Sequence, residues 1–152
     1  MQAGAFIRGE YGKVSRQSIE EKSVNQLVTY VDRTAEEMLV KGLRQIVPTA
    51  TFLTEEATIA SENSDLQWII DPLDGTTNFL HGIPTFAVSV ALQQGEQIVV
   101  GIVYEVNQDE CFAAWQGGGA WLNGERIRVG TAKNLAQALI GTGFPVDNFP
   151  RL

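Results

Sequence analysis

The sequence predicts an α+β fold, an antiparallel sheet with helices packed against it. Two observations carry that reading. A 3.6-residue apolar period runs through the first third of the chain, from about Val31 to Val47. After it come short runs of alternating residues joined by tight turn signals, the pattern of an antiparallel meander. With 152 residues, 44% hydrophobic and 19% charged, the chain is large enough for one domain with its own core.

The elements follow in order. Residues 2–11 read as a short helix with Ala3, Phe6 and Ile7 as its apolar face. Residues 12–26 carry Lys13, Arg16, Glu20, Glu21 and Lys22 without period, and read as a mobile loop. The main helix places Val31, Ala35, Met38, Leu39, Leu43 and Ile46 on one stripe, with Arg33, Glu36, Glu37 and Lys41 on the other side, and Pro48 stops it. Asp32 falls in its first turn, where spacing alone favours nothing more than complementing the helix dipole. Residues 51–54 form a short strand ending in Glu55-Glu56, and 57–66 are a polar connection. Trp68-Ile69-Ile70 reads as a buried strand. Strands then run from Phe86 to Leu92, Gln97 to Tyr104 and Glu110 to Gln116, and Ala120-Trp121-Leu122 leads to an Asn123-Gly124 hairpin turn. The triple glycine at 117–119 is followed by no Gly-Lys-Ser/Thr, so it reads as a bulge or bend and not a phosphate loop. Ala138 to Thr142 reads as a last strand, and residues 146–152 carry no structural signal.

Composition excludes several classes. A net charge of -7 argues against a nucleic-acid backbone as partner, while a small phosphorylated metabolite stays compatible if metal ions neutralise the site. No apolar run reaches the length of a membrane span, so no membrane partner is expected. The single cysteine, Cys111, reads as a small buried hydrophobe and fits a reducing, cytoplasmic setting. His81 reads as a loop histidine.

The chemistry gathers in one stretch, Gln67-Trp68-Ile69-Ile70-Asp71-Pro72-Leu73-Asp74-Gly75-Thr76-Thr77-Asn78-Phe79. Asp71 ends an apolar strand, Pro72 is expected to end the ladder, Asp74-Gly75 turns, and Thr76 or Thr77 caps a short helix. One turn thus offers two carboxylates, the Leu73 carbonyl, a hydroxyl and unpaired N–H groups. Hard divalent cations take such oxygens and phosphate takes such N–H groups. Glu55 bridges from the preceding strand end. A metal-activated water is the expected nucleophile, with Thr76 holding it, Asp32 orienting Thr76 if the two pack together, and the Gly75, Thr76 and Thr77 amides holding the phosphate. Haloacid-dehalogenase-type phosphatases also end a strand in Asp before Asp-Gly-Thr. Their acids stand two apart and the first is a covalent nucleophile, but Pro72 occupies that place here.

The same stretch resembles the first signature of the inositol monophosphatase family, Mg2+-dependent and lithium-sensitive phosphatases. Leu27-Val28-Thr29-Tyr30-Val31-Asp32, Phe52-Leu53-Thr54-Glu55-Glu56 (Thr54 standing where the family has Gly), Gly117-Gly118-Gly119-Ala120-Trp121-Leu122-Asn123-Gly124 and Gly141-Thr142-Gly143-Phe144-Pro145 resemble further family segments. The resemblance implies two or three Mg2+ ions, with Mn2+ as a substitute. Glu55, Asp71 and the Leu73 carbonyl would bind the first ion, and Asp71 with Asp74 the second. Thr76 and Glu55 would activate the water, Asp32 would support Thr76, Gly75 and Thr76 would bind phosphate, and Glu56 would back the ligands. It also implies a phosphomonoesterase acting on a small phosphorylated alcohol such as inositol 1-phosphate. The alternatives are a 3′-phosphoadenosine-5′-phosphate phosphatase, a fructose-bisphosphatase or a non-catalytic metal-binding or regulatory remnant. Family members add an α/β half whose Trp-Asp motif supplies another ligand. The expectation is therefore a single incomplete domain over 1–152, the N-terminal part of a layered α/β/α/β/α sandwich. Its apolar face would be exposed and its activity weak or absent, and the full-length form would be a homodimer.

Overall fold

The computed structural model describes residues 2–15, 20–23, 26–59 and 64–141, with backbone alone over 20–23 and 26–28. The elements are α1 (Gln2–Glu10), β1 (Glu20–Ser23), β2 (Gln26–Val28), α2 (Tyr30–Ile46), β3 (Thr51–Thr54), β4 (Leu66–Asp74), α3 (Thr76–Leu80), β5 (Ala87–Gln94), β6 (Gln97–Glu105), β7 (Glu110–Trp115), β8 (Gly119–Leu122) and β9 (Glu125–Ile127), then a 3-10 turn at Leu135–Gln137. Strands β3 to β9 form one seven-stranded sheet in sequence order.

Alternation along β5 sets the two faces. Val88, Val90 and Leu92 are buried under α1 and α2, together with Trp68 and Ile70 of β4 and with Ile7, Val31, Ala35 and Leu39 of the helices. Residues paired across a sheet share a face. The register therefore strings Leu53, Ile69, Ala91, Gly101, Ala114, Ala120 and Ile127 into one row on the opposite face. There Val103 and Phe112 stay 43% and 38% exposed beside a hollow of about 400 Å³.

Four expectations need correction. The sheet is mixed, because β3 runs parallel to β4 while the other pairs are antiparallel. The 12–26 stretch is not all loop: β1 and β2 pair antiparallel from Glu20↔Val28 to Ser23↔Gln26. A two-stranded ribbon needs only backbone pairing, so a polar sequence without period gives no sign of it. Pro72 does not end β4. The ladder breaks between Asp71 and Asp74 and resumes at Asp74↔Ala87, so the residue without an N–H sits in the irregularity. Residues 138–141 form no strand, and Leu139 and Ile140 are 101% and 67% exposed. Thr142 and residues 146–152 lie outside the described residues.

Helix α1 is seated by its glycine. A Cβ on Gly4 would stand 2.2 Å from Cε1 of the Tyr104 ring, whereas one on Gly9 would meet nothing within 4 Å. Gly4→Ala is expected to lower stability by about 1–3 kcal/mol through overpacking. Gly9→Ala is expected to raise it by about 0.5–1 kcal/mol through helix propensity. Paired thermal melts check the opposite signs.

Candidate active site

The parallel pairing of β3 with β4 builds the site. Thr54 pairs with Ile70, so both strands reach the same edge and the next residues, Glu55 and Asp71, arrive side by side. The Glu55 N–H donates to Ile70 O at 3.1 Å, extending that pairing one residue further. Asp71 is half-buried, and its Oδ1 accepts the Leu73 N–H at 3.1 Å. Its carboxyl is pushed up to about 7, by burial first, then by a hydrogen bond with Glu55 and by repulsion from Glu55 and Asp74, while the Leu73 N–H works the other way.

The turn after β4 needs glycine. Gly75 sits at φ 92°, and a Cβ there would stand 3.0 Å from Thr85 O. Gly75, and not a threonine side chain, is the N-cap of α3. Thr76 does other work: its Oγ1 lies 2.8 Å from Asp32 Oδ1 and 2.9 Å from Leu73 O. A single hydroxyl proton serves these two acceptors. The α3 backbone is held by Phe79 N–H to Gly75 O at 2.9 Å, and by Asn78 Nδ2 to Thr85 O at 2.8 Å. The first amides of α3 have no partner within the helix.

Asp32 is 1% exposed and fully engaged. Its Oδ2 accepts from the Thr29 N–H at 2.9 Å and the Thr29 hydroxyl at 2.7 Å, closing a capping box at the start of α2, and its Oδ1 faces Thr76. The dipole reading favoured by spacing is therefore too small: Asp32 links the start of α2 to the turn after β4. The Thr-x-x-Asp pattern was the signal available for that box.

Spacing gives no sign of the role of Glu36. By period it belongs to the helix's polar side, yet it is 0% exposed, and its carboxylate accepts from the Glu56 and Thr58 backbone N–H groups, each at 2.8 Å, and from Thr58 Oγ1 at 2.6 Å. The buried set on α2 is Val31, Asp32, Ala35, Glu36, Leu39 and Val40, two adjacent rows four residues apart. Glu36 was hidden because its partners come from a loop distant in sequence. Ile46, by contrast, leaves the predicted stripe at 71% exposed.

Asp74 is exposed, whereas Asp71 is half-buried. Among the described residues, no group of three or more His, Cys, Asp or Glu side chains converges to hold a metal ion. What is assembled is the Glu55–Asp71 pair, with Asp74 close enough to act on Asp71 electrostatically. This all-oxygen donor set, in which neighbouring carboxylates disfavour one another's charge, fits a hard divalent cation that keeps several waters. His81 is exposed at the end of α3. No described helix is long and apolar enough to cross a membrane.

An acidic, oxygen-lined edge beside a hydroxyl and a glycine turn, on a helix-covered mixed sheet, defines a class of carboxylate-rich α+β proteins. The chain belongs to the inositol monophosphatase family, whose sequence description matches residues 1–151. It is 42% identical over 146 residues to an inositol-1-monophosphatase of Mesorhizobium japonicum, covering 95% of this chain and 55% of that protein. It is 43% identical over 146 residues to the Nus factor SuhB of Pseudomonas aeruginosa, covering 94% and 54%. The crystal structure of the extragenic suppressor protein suhB from Bartonella henselae superposes with a TM-score of 0.82 at 43% identity, over 89% of this chain and 53% of that one. The chain thus spans about half the length of the relatives it matches.

Proposed function

We propose that this chain carries one wall of an Mg2+-dependent phosphomonoesterase site acting on a small phosphorylated alcohol such as inositol 1-phosphate. The observation that supports this best is the strand edge that sets Asp71 against Glu55, one turn from a Thr76 hydroxyl fixed on buried Asp32. Glu55, Asp71, Asp74 and the Leu73 carbonyl would hold two or three Mg2+ ions, or Mn2+ in their place. Such ions supply Lewis acidity, which polarises the phosphoryl oxygens and makes a water acidic enough to attack at neutral pH.

The chain's own groups then do the following. The Thr76 hydroxyl donates its hydrogen bond to Asp32, leaving an Oγ1 lone pair to accept a hydrogen bond from a water on the phosphate side. Glu55 takes up the one proton that this water loses. The Gly75, Thr76 and Thr77 amides hold the phosphate oxygens at the start of α3. Glu56 backs the Glu55 loop. Asp32 holds the Thr76 hydroxyl in one orientation, because its other oxygen is pinned by Thr29.

Thr76→Val removes the hydroxyl and keeps the shape. Asp32 retains both Thr29 bonds, so the fold is expected to survive while kcat falls about 10²–10⁴-fold with KM little changed. Thr76→Ser is expected to keep most of the rate. Phosphate-release kinetics compare the two.

The test of the proposal is calorimetric titration with Mn2+ or Mg2+, followed by phosphate release from a panel of phosphomonoesters, with Li+ as the expected inhibitor. Inositol 1-phosphate is expected to lead 3′-phosphoadenosine-5′-phosphate and fructose 1,6-bisphosphate. The 152 residues act as a single incomplete domain of a cytoplasmic enzyme that is a homodimer at full length. Their turnover alone is expected to fall far below a full-length relative's, and a rate near that relative's would overturn this part of the proposal. The Nus factor SuhB relative favours a second reading, a non-catalytic regulatory role. Complete absence of divalent-cation binding would support that reading.

A further inference from the structure

The loop that carries Glu55 is held from both sides. On one side the Glu55 N–H donates to Ile70 O of β4. On the other, Glu36 Oε2 accepts the Glu56 N–H, while its Oε1 accepts both the N–H and the hydroxyl of Thr58. Glu36 stands four residues after Asp32 in the same buried row of α2. One helix face therefore grips both halves of the acidic edge, Asp32 holding the Thr76 turn and Glu36 holding the Glu55 loop.

A carboxylate with no exposure at all is an expensive way to stabilise a helix–loop contact, since burial strips it of water and an apolar side chain of similar volume does as well or better. What it provides instead is geometry. Three donors converge on two oxygens, which fixes the backbone from Glu56 to Thr58 relative to α2 and so fixes where β3's exit presents Glu55. We propose that Glu36 is a positioning residue: it sets the Glu55 carboxylate against Asp71 so that the pair is pre-arranged for a divalent cation. This inference rests on the metal-site reading above.

The variant that isolates the effect is Glu36→Gln. If its carbonyl keeps the Thr58 pair, its NH2 group faces the Glu56 N–H, donor against donor, next to Glu55. In the full chain, metal-free amide exchange at Glu56 is expected to accelerate in Glu36→Gln, and Mn2+ affinity by calorimetry is expected to weaken roughly 10–100-fold, as when outer partners of metal ligands are removed. Thr58→Val, which loses only the hydroxyl bond, is expected to bind Mn2+ like the parent. Ile7→Ala, a core truncation in α1, provides a destabilised control. A Glu36→Gln chain that binds Mn2+ as tightly as the parent, or no worse than Ile7→Ala, overturns the positioning role. A parent chain that binds no Mn2+ overturns the metal reading itself. In that case the exchange rate still judges the clamp, and an unchanged Glu56 rate in Glu36→Gln overturns it.

Discussion

Asp71→Asn is expected to remove divalent-cation binding and, with it, about a thousandfold or more of any Mg2+-dependent phosphate release, equivalent to roughly 4 kcal/mol of transition-state stabilisation. The substitution keeps the shape of the side chain and one acceptor oxygen for the Leu73 N–H. What it removes is the negative charge at the one position acted on by both Glu55 and Asp74. That charge is unfavourable in the metal-free chain, where burial and two neighbouring carboxylates oppose it. The same charge is what makes a cation bind. The two consequences have opposite signs and can be read separately. Without metal, Asp71→Asn is expected to be as stable as the parent or slightly more so. With Mn2+ at about a hundred times its dissociation constant, the parent gains about 2.7 kcal/mol of stability and the variant gains none. Thermal melts with and without Mn2+ check this. A metal-induced shift of the same size in both proteins would remove Asp71 from the ligand set.

Much of this edge can be read in the sequence because its signals are local. The apolar approach to Asp71, the glycine turn and the distance to Thr76 all lie within one short run, and the physical constraints on each residue act on its immediate neighbours. The β5–β9 meander is legible for a similar reason: one buried face imposes alternation, and Gln94-Gly95 and Asn123-Gly124 mark two of the reversals. The parallel direction of β3 is different. A four-residue strand has the same side-chain pattern whichever way it runs, so nothing in Thr51–Thr54 announces that Glu55 will emerge beside Asp71. Glu36 is hidden for a related reason. A glutamate on a helix reads as solvated unless its donors are known, and these come from residues 56 and 58, twenty or more positions away. The last predicted strand fails in the opposite sense. The apolar run Ala138-Leu139-Ile140 supplies propensity, but no described strand offers its ladder, and propensity without a partner makes no sheet.

Phe79→Ala is expected to have the largest effect on stability, about 3–5 kcal/mol, because the site's short helix has one buried anchor. Phe79 is 2% exposed and packs edge-on against Phe86 at 5.1 Å between ring centres, with Tyr11 tilted at 5.7 Å from Phe79 and 5.1 Å from Phe86. Such ring pairs add about 0.5–1.5 kcal/mol to the area they bury. A five-residue helix cannot hold itself together, since nucleation uses more conformational entropy than its few hydrogen bonds return. Its place is set by this cluster, which ties the end of α1, through Tyr11, to the segment entering β5. The Phe79 N–H also closes the turn onto Gly75 O. Losing the ring should therefore lower the melting temperature by roughly 10 °C or more and loosen the Gly75–Thr77 amides together. The functional signature expected is a raised KM for the phosphate ester, with Mn2+ affinity much less affected, because Glu55 and Asp71 are fixed by the β3–β4 ladder and not by α3. Phe79→Leu, which refills most of the volume, should recover much of both losses. If Phe79→Ala weakened Mn2+ binding as strongly as it raised KM, the turn and the acidic edge would be one mechanical unit, and the separation drawn here between phosphate-holding and cation-holding elements would fall.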